Sequence, residues 1–342
     1  MALYPYGLVQ VAVGGAAGWM RRALERSGVS TETAELAGQT LTARNTAVAD
    51  DNLDGGHGGH VTAPLPPYEP EWVPTLFGLD DLLRILDVTP DVPPVPARCL
   101  PSGHGGVLGS QMLAQQVVLA ERTTPGKRVH TLHTLFLRSG TAERSLEIDM
   151  ERLAHGRSVD SVALTFRQGT ERLSRADVML AAPDADFARH GTALPPEVCG
   201  PADAEPVRRA LLPWEAALVP PARPFQLDLW LRAPLVPDDP TTWRALLAFT
   251  AETLPASNVL QGHGLAPTPD RPLFVVTLSQ TVTFLDELDV REWHLFRLYS
   301  PHSGGGRALS RGEVYGADGR LAAVFETVGM LRGPKPSAGH SG

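Results

Sequence analysis

Cysteine is scarce in this chain, with only Cys99 and Cys199 among 342 residues. Two cysteines cannot frame a disulfide-stapled scaffold or a cysteine-rich zinc site, and they fit a reducing, cytoplasmic setting. Lysine is equally rare, at Lys127 and Lys335, while arginine, alanine and proline abound. That skew reads as coding bias and carries no mechanistic weight. Positive charge falls short as well, since 30 basic residues face 38 acidic ones and leave a formal charge of -8. Neutralising a phosphate backbone needs a basic face, so a nucleic-acid partner is excluded. No apolar run reaches the roughly 18 residues that a membrane span requires. Gly7–Met20 is mildly apolar, but its arginines follow rather than precede it, which is the wrong order for a secretion signal. No membrane partner is expected.

What is present is enough chain for two ordinary domains with a sizeable core. Residues 1–72 stand apart. Ala16–Arg26 and Thr31–Ala43 have helical periodicity, the second with Ser30 or Thr31 as N-cap. A stretch rich in Gly, Pro and Asp follows, and its Gly55–His60 run (GGHGGH) reads as polar linker rather than metal site. Leu76–Leu86 has the pattern of a short amphipathic helix. Gly109 then opens an apolar helix that ends in a Pro-Gly turn, and Arg128–Arg138 alternates as a half-buried strand does. Strands are expected at Leu146–Leu153, Ser158–Arg167 and Arg172–Ala181. Residues 186–224 are proline-rich and lack sustained periodicity, which suggests a connector. After it come a helix at Thr241–Leu254 and strands at Leu273–Phe284, Glu292–Ser300, Arg307–Tyr315 and Arg320–Leu331.

The order of elements therefore occurs twice. Phe136 precedes Gly156-Arg157 by nearly the spacing that separates Phe284 from Gly306-Arg307. A repeat of that length means two copies of one supersecondary unit packed together. One helix against several antiparallel strands is an α+β arrangement, with the sheet curling around the helix. The expected division is 1–72, a first unit at 73–185, a connector at 186–224, a second unit at 225–333 and a disordered tail at 334–342.

These segments also carry a resemblance. GSQMLAQQVVLAERTTPGKRVHTLHTLFLRSG, from Gly109 to Gly140, is similar to the central helix and next strand of the type II acyl-CoA thioesterases, the TesB-like family. MERLAHGRS and RALSRGEVYGADGRLAAVFETVGMLRG resemble its following strand and its C-terminal hairpin, and LLAFTAETLPASNVLQGHG its second central helix. The resemblance spans roughly residues 75–333. It implies a double hotdog fold, in which two antiparallel sheets each wrap a helix and join into one. It further implies an acyl-CoA or acyl-carrier-protein thioester as substrate, hydrolysis without a cofactor or metal, and a homo-oligomer.

The family's hydrolytic residues are an aspartate, a threonine and a glutamine. The matching positions here hold Glu252, Thr277 and Thr327, so the threonine alone is kept. The Asp-His pair that follows that threonine in the family is Ser279-Gln280. Thioester hydrolysis needs a positioned water and donors at the developing oxyanion. Glu252 and Thr277 are the candidates for the first task. The backbone N–H groups of Gly109, Ser110 and Gln111, at a helix start, are candidates for the second. Gly109 serves equally well as a point of close packing.

Arg157 and Arg307, in glycine-containing turns, read either as solvated turn residues or as partners for the phosphates of coenzyme A. Gln261 and His263 complete the substrate-binding set by match to the family. His130 and His133, three apart in a strand, are expected on opposite faces and thus as structural histidines. Two other readings keep the fold. One is a non-hydrolytic enzyme of a specialised pathway that carries out acyl transfer, dehydration or cyclisation. The other is a non-catalytic acyl-binding module.

Overall fold

The computed structural model describes residues 77–333, apart from 91–93, 103–104, 210 and 266–273. The expected N-terminal helices, the Gly55–His60 run and the C-terminal tail lie outside the described residues. The first element is a short helix, α1 (Leu79–Ile85), which buries Leu82 and Ile85. Its capping-box carboxylate is Asp81, which accepts from the Gly78 N–H at 3.0 Å.

Two helices form the centre. In α2 (Gly109–Arg122) every residue from Ser110 to Glu121 is buried. Helix α3 (Pro240–Gly262) starts from Asp239, whose carboxylate accepts from the Thr241 and Thr242 N–H groups at 3.2 Å each. Pro240 sits at the first helical position, where its missing N–H costs nothing. The sequence suggested a helix over Thr241–Leu254. It continues for two more turns, so Pro255 is an interior proline. That leaves the Ala251 carbonyl without its donor four residues on.

The strands are β1 (Val95–Ala97), β2 (Arg128–Phe136), β3 (Leu146–His155), β4 (Val159–Gln168), β5 (Glu171–Ala181), β6 (Glu205–Arg209), β7 (Leu212–Val219), β8 (Gln226–Arg232), β9 (Phe274–Phe284), β10 (His294–Gly304), β11 (Arg307–Gly316) and β12 (Leu321–Arg332). All lie in one antiparallel sheet of order β1-β3-β4-β5-β2-β9-β12-β11-β10-β8-β7-β6. The first half is β1, α2 and β2–β5, and the second half repeats it as β8, α3 and β9–β12. The halves meet where β2 pairs with β9, with Thr131 opposite Thr283 and Leu135 opposite Ser279. This is the double hotdog arrangement.

Both helices cover one face of the sheet, and they run antiparallel. The end of α2 meets the start of α3, where Thr241 Oγ1 donates to Glu121 Oε2 at 2.7 Å. The core between helices and sheet includes Leu113, Val117 and Leu119 from α2 and Ala248, Phe249 and Leu254 from α3. Each large apolar side chain so buried contributes about 1.5–3 kcal/mol. The stretch expected as a connector does more than link. It supplies β6 and β7, which extend the sheet beyond β8. Its earlier part lies over the face away from the helices, where Trp230, Leu295 and Tyr315 form a second cluster with Leu194 and Cys199 packed on it.

Matching strands carry matching bulges. In β2 the ladder slips at His130, between Val129 and Thr131, and in β9 at Leu278, between Thr277 and Ser279. An extra residue reverses the side-chain alternation beyond it. One consequence corrects the sequence reading of the histidines. The His130 ring meets the Thr131 hydroxyl at 3.0 Å, and His133 meets the Thr281 hydroxyl at 2.8 Å. Both histidines therefore share the face away from the helices.

Candidate active site

The bulge in β9 has a second consequence. Gln280 faces the helices and Ser279 does not, so simple alternation would turn Thr277 outward. The extra residue at Leu278 turns it back, and the Thr277 hydroxyl hydrogen-bonds the Glu252 carboxylate on α3. The Ser110 N–H, in the first turn of α2, donates to the same carboxylate. The sequence placed these groups on three separate elements, and the structure brings them together.

Gly109 makes the approach possible. A Cβ there would lie 2.6 Å from Glu252 Oε1 and 3.2 Å from Phe136 Cε1. The glycine is thus a close-packing position and part of the site at once. Glu252 lies deep in the protein, and burial pushes its carboxyl above the usual carboxylate range, against the pull of the two hydrogen bonds. Yet Glu252, Thr277, Gly109 and Phe136 all keep part of their surface accessible. The Phe136 ring closes the same spot from β2, 3.2 Å from where a Gly109 Cβ would lie.

Other candidates are placed differently. The Gln111 amide is a latch, since Oε1 accepts from the Leu100 N–H at 2.8 Å and Nε2 donates to the Arg98 carbonyl at 3.3 Å. Thr327 donates to Gln280 Oε1 at 2.6 Å and is buried with it. It lies one inward-facing position from Gly329, which is the residue paired with Thr277. Gln261 and His263 follow Glu252 by nine or more residues, so at 1.5 Å per residue they are about 14 Å away along α3. There the His263 ring packs edge-on to Phe225 at 4.8 Å.

The two arginines part company. Arg307 opens β11 beside Met330, which pairs with Val276, so it sits at the Thr277 end of the sheet. Arg157 lies at the opposite end, in the turn where Lys127 Nζ donates to the Gly156 carbonyl. Because β2 and β9 are antiparallel, each hairpin stays at the far end of its own half. The structure does not bring Arg157 to Glu252.

Sequence reasoning missed Phe136, Ala251 and Gln280 as neighbours of the site. Two had a readable signal: Gln280 stands where the family has the second residue of its Asp-His pair, and Pro255, four residues after Ala251, announces a freed carbonyl beside Glu252.

Duplication provides a counterpart to the site. Glu121 on α2 occupies the place of Glu252 on α3, Val129 that of Thr277, and Thr241 that of Ser110. There the carboxylate accepts from the Val129 N–H at 2.9 Å and the Thr241 hydroxyl at 2.7 Å. Arg244 closes on it with Nε and Nη2, both at 2.7 Å. Among the described residues no group of three or more His, Cys, Asp or Glu side chains is placed to hold a metal ion. No helix there is long and apolar enough to cross a membrane.

The chain matches the acyl-CoA thioesterase N-terminal domain over residues 98–182 and the acyl-CoA thioesterase C-terminal domain over residues 179–331. It is 24% identical over 257 residues to acyl-CoA thioesterase 2 of Haemophilus influenzae, covering 67% of this chain and 89% of that one. Among solved structures it is similar to the tesB protein of Mycobacterium avium subspecies paratuberculosis, with a TM-score of 0.67 and 23% identity over 75% of this chain and 100% of that one. The acyl-CoA thioesterase II TesB2 of Mycobacterium marinum superposes with a TM-score of 0.60 and 26% identity, covering 74% and 99% of the two chains.

Proposed function

The chain belongs to the acyl-CoA thioesterase family, and from that premise we propose that it hydrolyses acyl thioesters at the Glu252–Thr277 pair. The substrate is acyl-CoA, or the same thioester on an acyl carrier. The observation that carries this reading is the Glu252 carboxylate itself, held deep at the start of α2 and bonded by Thr277 and the Ser110 N–H.

Glu252 acts as general base. It takes a proton from a water whose oxygen attacks the thioester carbonyl carbon, and the C=O electron pair moves to oxygen. The first N–H groups of a helix lack intrahelical acceptors. Ser110 spends its own on Glu252, so those of Gly109 and Gln111 meet the oxyanion, aided by the helix dipole. As the tetrahedral species collapses, the C–S bond breaks. The proton held by Glu252 passes to the leaving thiolate, giving free acid and thiol. A carboxyl pushed upward by burial is a stronger base once ionised, which suits this shuttle. Phe136 provides the apolar wall for the first carbons of the acyl chain. Arg307, at the same end of the sheet, meets the coenzyme A phosphates.

Thiol release from a panel of acyl-CoAs of increasing chain length tests the proposal. Release is expected from the natural chain and not from Glu252→Gln. Equal release by the two proteins, or none from the folded natural chain, would overturn it.

A further inference from the structure

Pro255 lies one turn beyond Glu252, inside a continuous helix. A proline has no N–H, so the carbonyl four residues back loses its helical donor. That carbonyl belongs to Ala251, the residue joined to Glu252 by a peptide bond. Ala251 is fully buried, so water does not supply the missing donor. The donor comes from the sheet. Gln280 Nε2, on the inward face of β9, lies 3.5 Å from the Ala251 oxygen.

The orientation of that amide is set at its other end. Thr327 donates to Gln280 Oε1 at 2.6 Å, from the residue directly opposite Gln280 on β12. A hydroxyl donating to Oε1 leaves Nε2 to face α3. Gln280 is 0% exposed and Thr327 3%, so neither amide nor hydroxyl has solvent as an alternative partner. Gln280 and Thr277 also share the face of β9 that the Leu278 bulge creates. The strand that bonds the carboxylate thus also holds the backbone from which the carboxylate hangs.

We propose that Gln280 and Thr327 are positioning residues for the reaction at Glu252, together holding the Ala251 carbonyl that Pro255 sets free and so fixing the α3 backbone beneath the carboxylate. This rests on the hydrolytic reading above for its kinetic consequence, but the effect on Glu252 does not require a substrate. Thr277 from β9 and the Ser110 N–H from α2 are the polar groups that act on Glu252, and no charged side chain among the described residues does so. An uncapped carbonyl dipole one residue away is therefore a large change in its surroundings. Such a dipole disfavours the ionised carboxylate.

The test compares the natural chain with Gln280→Met, Pro255→Ala and the double variant. Methionine keeps the length and removes the amide, while alanine at 255 returns an N–H to the helix. In ligand-free, carboxyl-labelled protein, the Glu252 titration is expected to move up by about one pH unit in Gln280→Met. It should return most of the way in the double variant. With the best acyl-CoA of the panel, kcat should fall about tenfold in Gln280→Met at little change in KM, with the pH profile moved the same way. The double variant should recover activity. Thr327→Val should show a weaker form of the same change, about threefold.

A merely structural role for Gln280 would lower thermal stability and leave the Glu252 titration where it was. That outcome overturns the proposal, as does a double variant shifted as far as Gln280→Met alone. If the titration behaves as expected and no acyl-CoA is hydrolysed, the positioning stands and the hydrolytic reading falls.

Discussion

Glu252 and Glu121 occupy matching places in the two halves, each on one central helix and beside the N-terminus of the other. At Glu252 the partners are a hydroxyl and a backbone N–H. At Glu121 they are a backbone N–H, a hydroxyl and the two-pronged grip of Arg244, which continues through Glu287 to Arg128. The position that matches Arg244 in the first helix is Leu113, so nothing cationic reaches Glu252 from α2. Duplication kept both carboxylates and gave them opposite uses. One is paired with a cation and ties the halves together, while the other has no cationic partner among the described residues and is the one the proposed reaction uses.

The largest expected effect comes from treating the two carboxylates alike. Glu252→Gln should lower kcat about a thousandfold, the range for loss of a general base, with stability unchanged or raised. Glu121→Gln should leave kcat within about threefold and cost about 3 kcal/mol in urea unfolding, since the buried guanidinium keeps only its contact with Glu287. Equal kinetic losses from the two would end the distinction between the halves.

Next in size is Arg244→Leu, which gives α3 the residue that α2 has at the matching place. It should destabilise by about 3–5 kcal/mol, because Glu121 is left buried without its cation. Combined with Glu121→Gln the loss should largely vanish, and denaturant melts of the three proteins would show whether the pair is coupled.

A further contrast lies in β10 and β3, where His294 stands at the place of Leu146. Burial pulls the His294 ring down to about 4 from the ordinary 6.5, against its contact with the Glu292 carbonyl. The unfolded chain takes up the proton first, so this stability is whole above pH 6.5 and is lost as pH falls towards 4. The loss is on the order of 3 kcal/mol, and His294→Leu should abolish that dependence. Glu252 has the opposite sign. Its raised pKa makes the folded protein hold the proton longer, so stability falls as pH rises from 4.5 through the folded value.

The smallest of these effects is that of Gly109→Ala. A methyl 2.6 Å from Glu252 Oε1 must displace the carboxylate. Displacement by about 1 Å costs on the order of a hundredfold in rate. Stability should change little, since Pro240 at the matching place of α3 already carries a Cβ.

Much of this was legible beforehand because it depends on local rules. The 3.6-residue pattern of Gly109–Arg122 and the alternation of Arg128–Phe136, each recurring later, point to a duplicated α+β unit. The Pro-rich segment misled because its prolines broke the alternation of β6 and β7, which form only as added edges on β8. The helix expected to end at Leu254 runs on through Pro255, because a glutamine from another strand supplies the donor that the proline lacks.

The sequence by itself determined the two repeats, the acidic balance and the presence of a carboxylate at 252. The tertiary structure decided which carboxylate is paired with a cation and which is not. Glu121 and Glu252 are the same residue on similar helices, and no local rule separates them. What separates them is Arg244 reaching across the helix pair to one, and a bulge at Leu278 turning Thr277 towards the other. Both are contacts between elements distant in sequence, set by the antiparallel packing of two helices on one sheet.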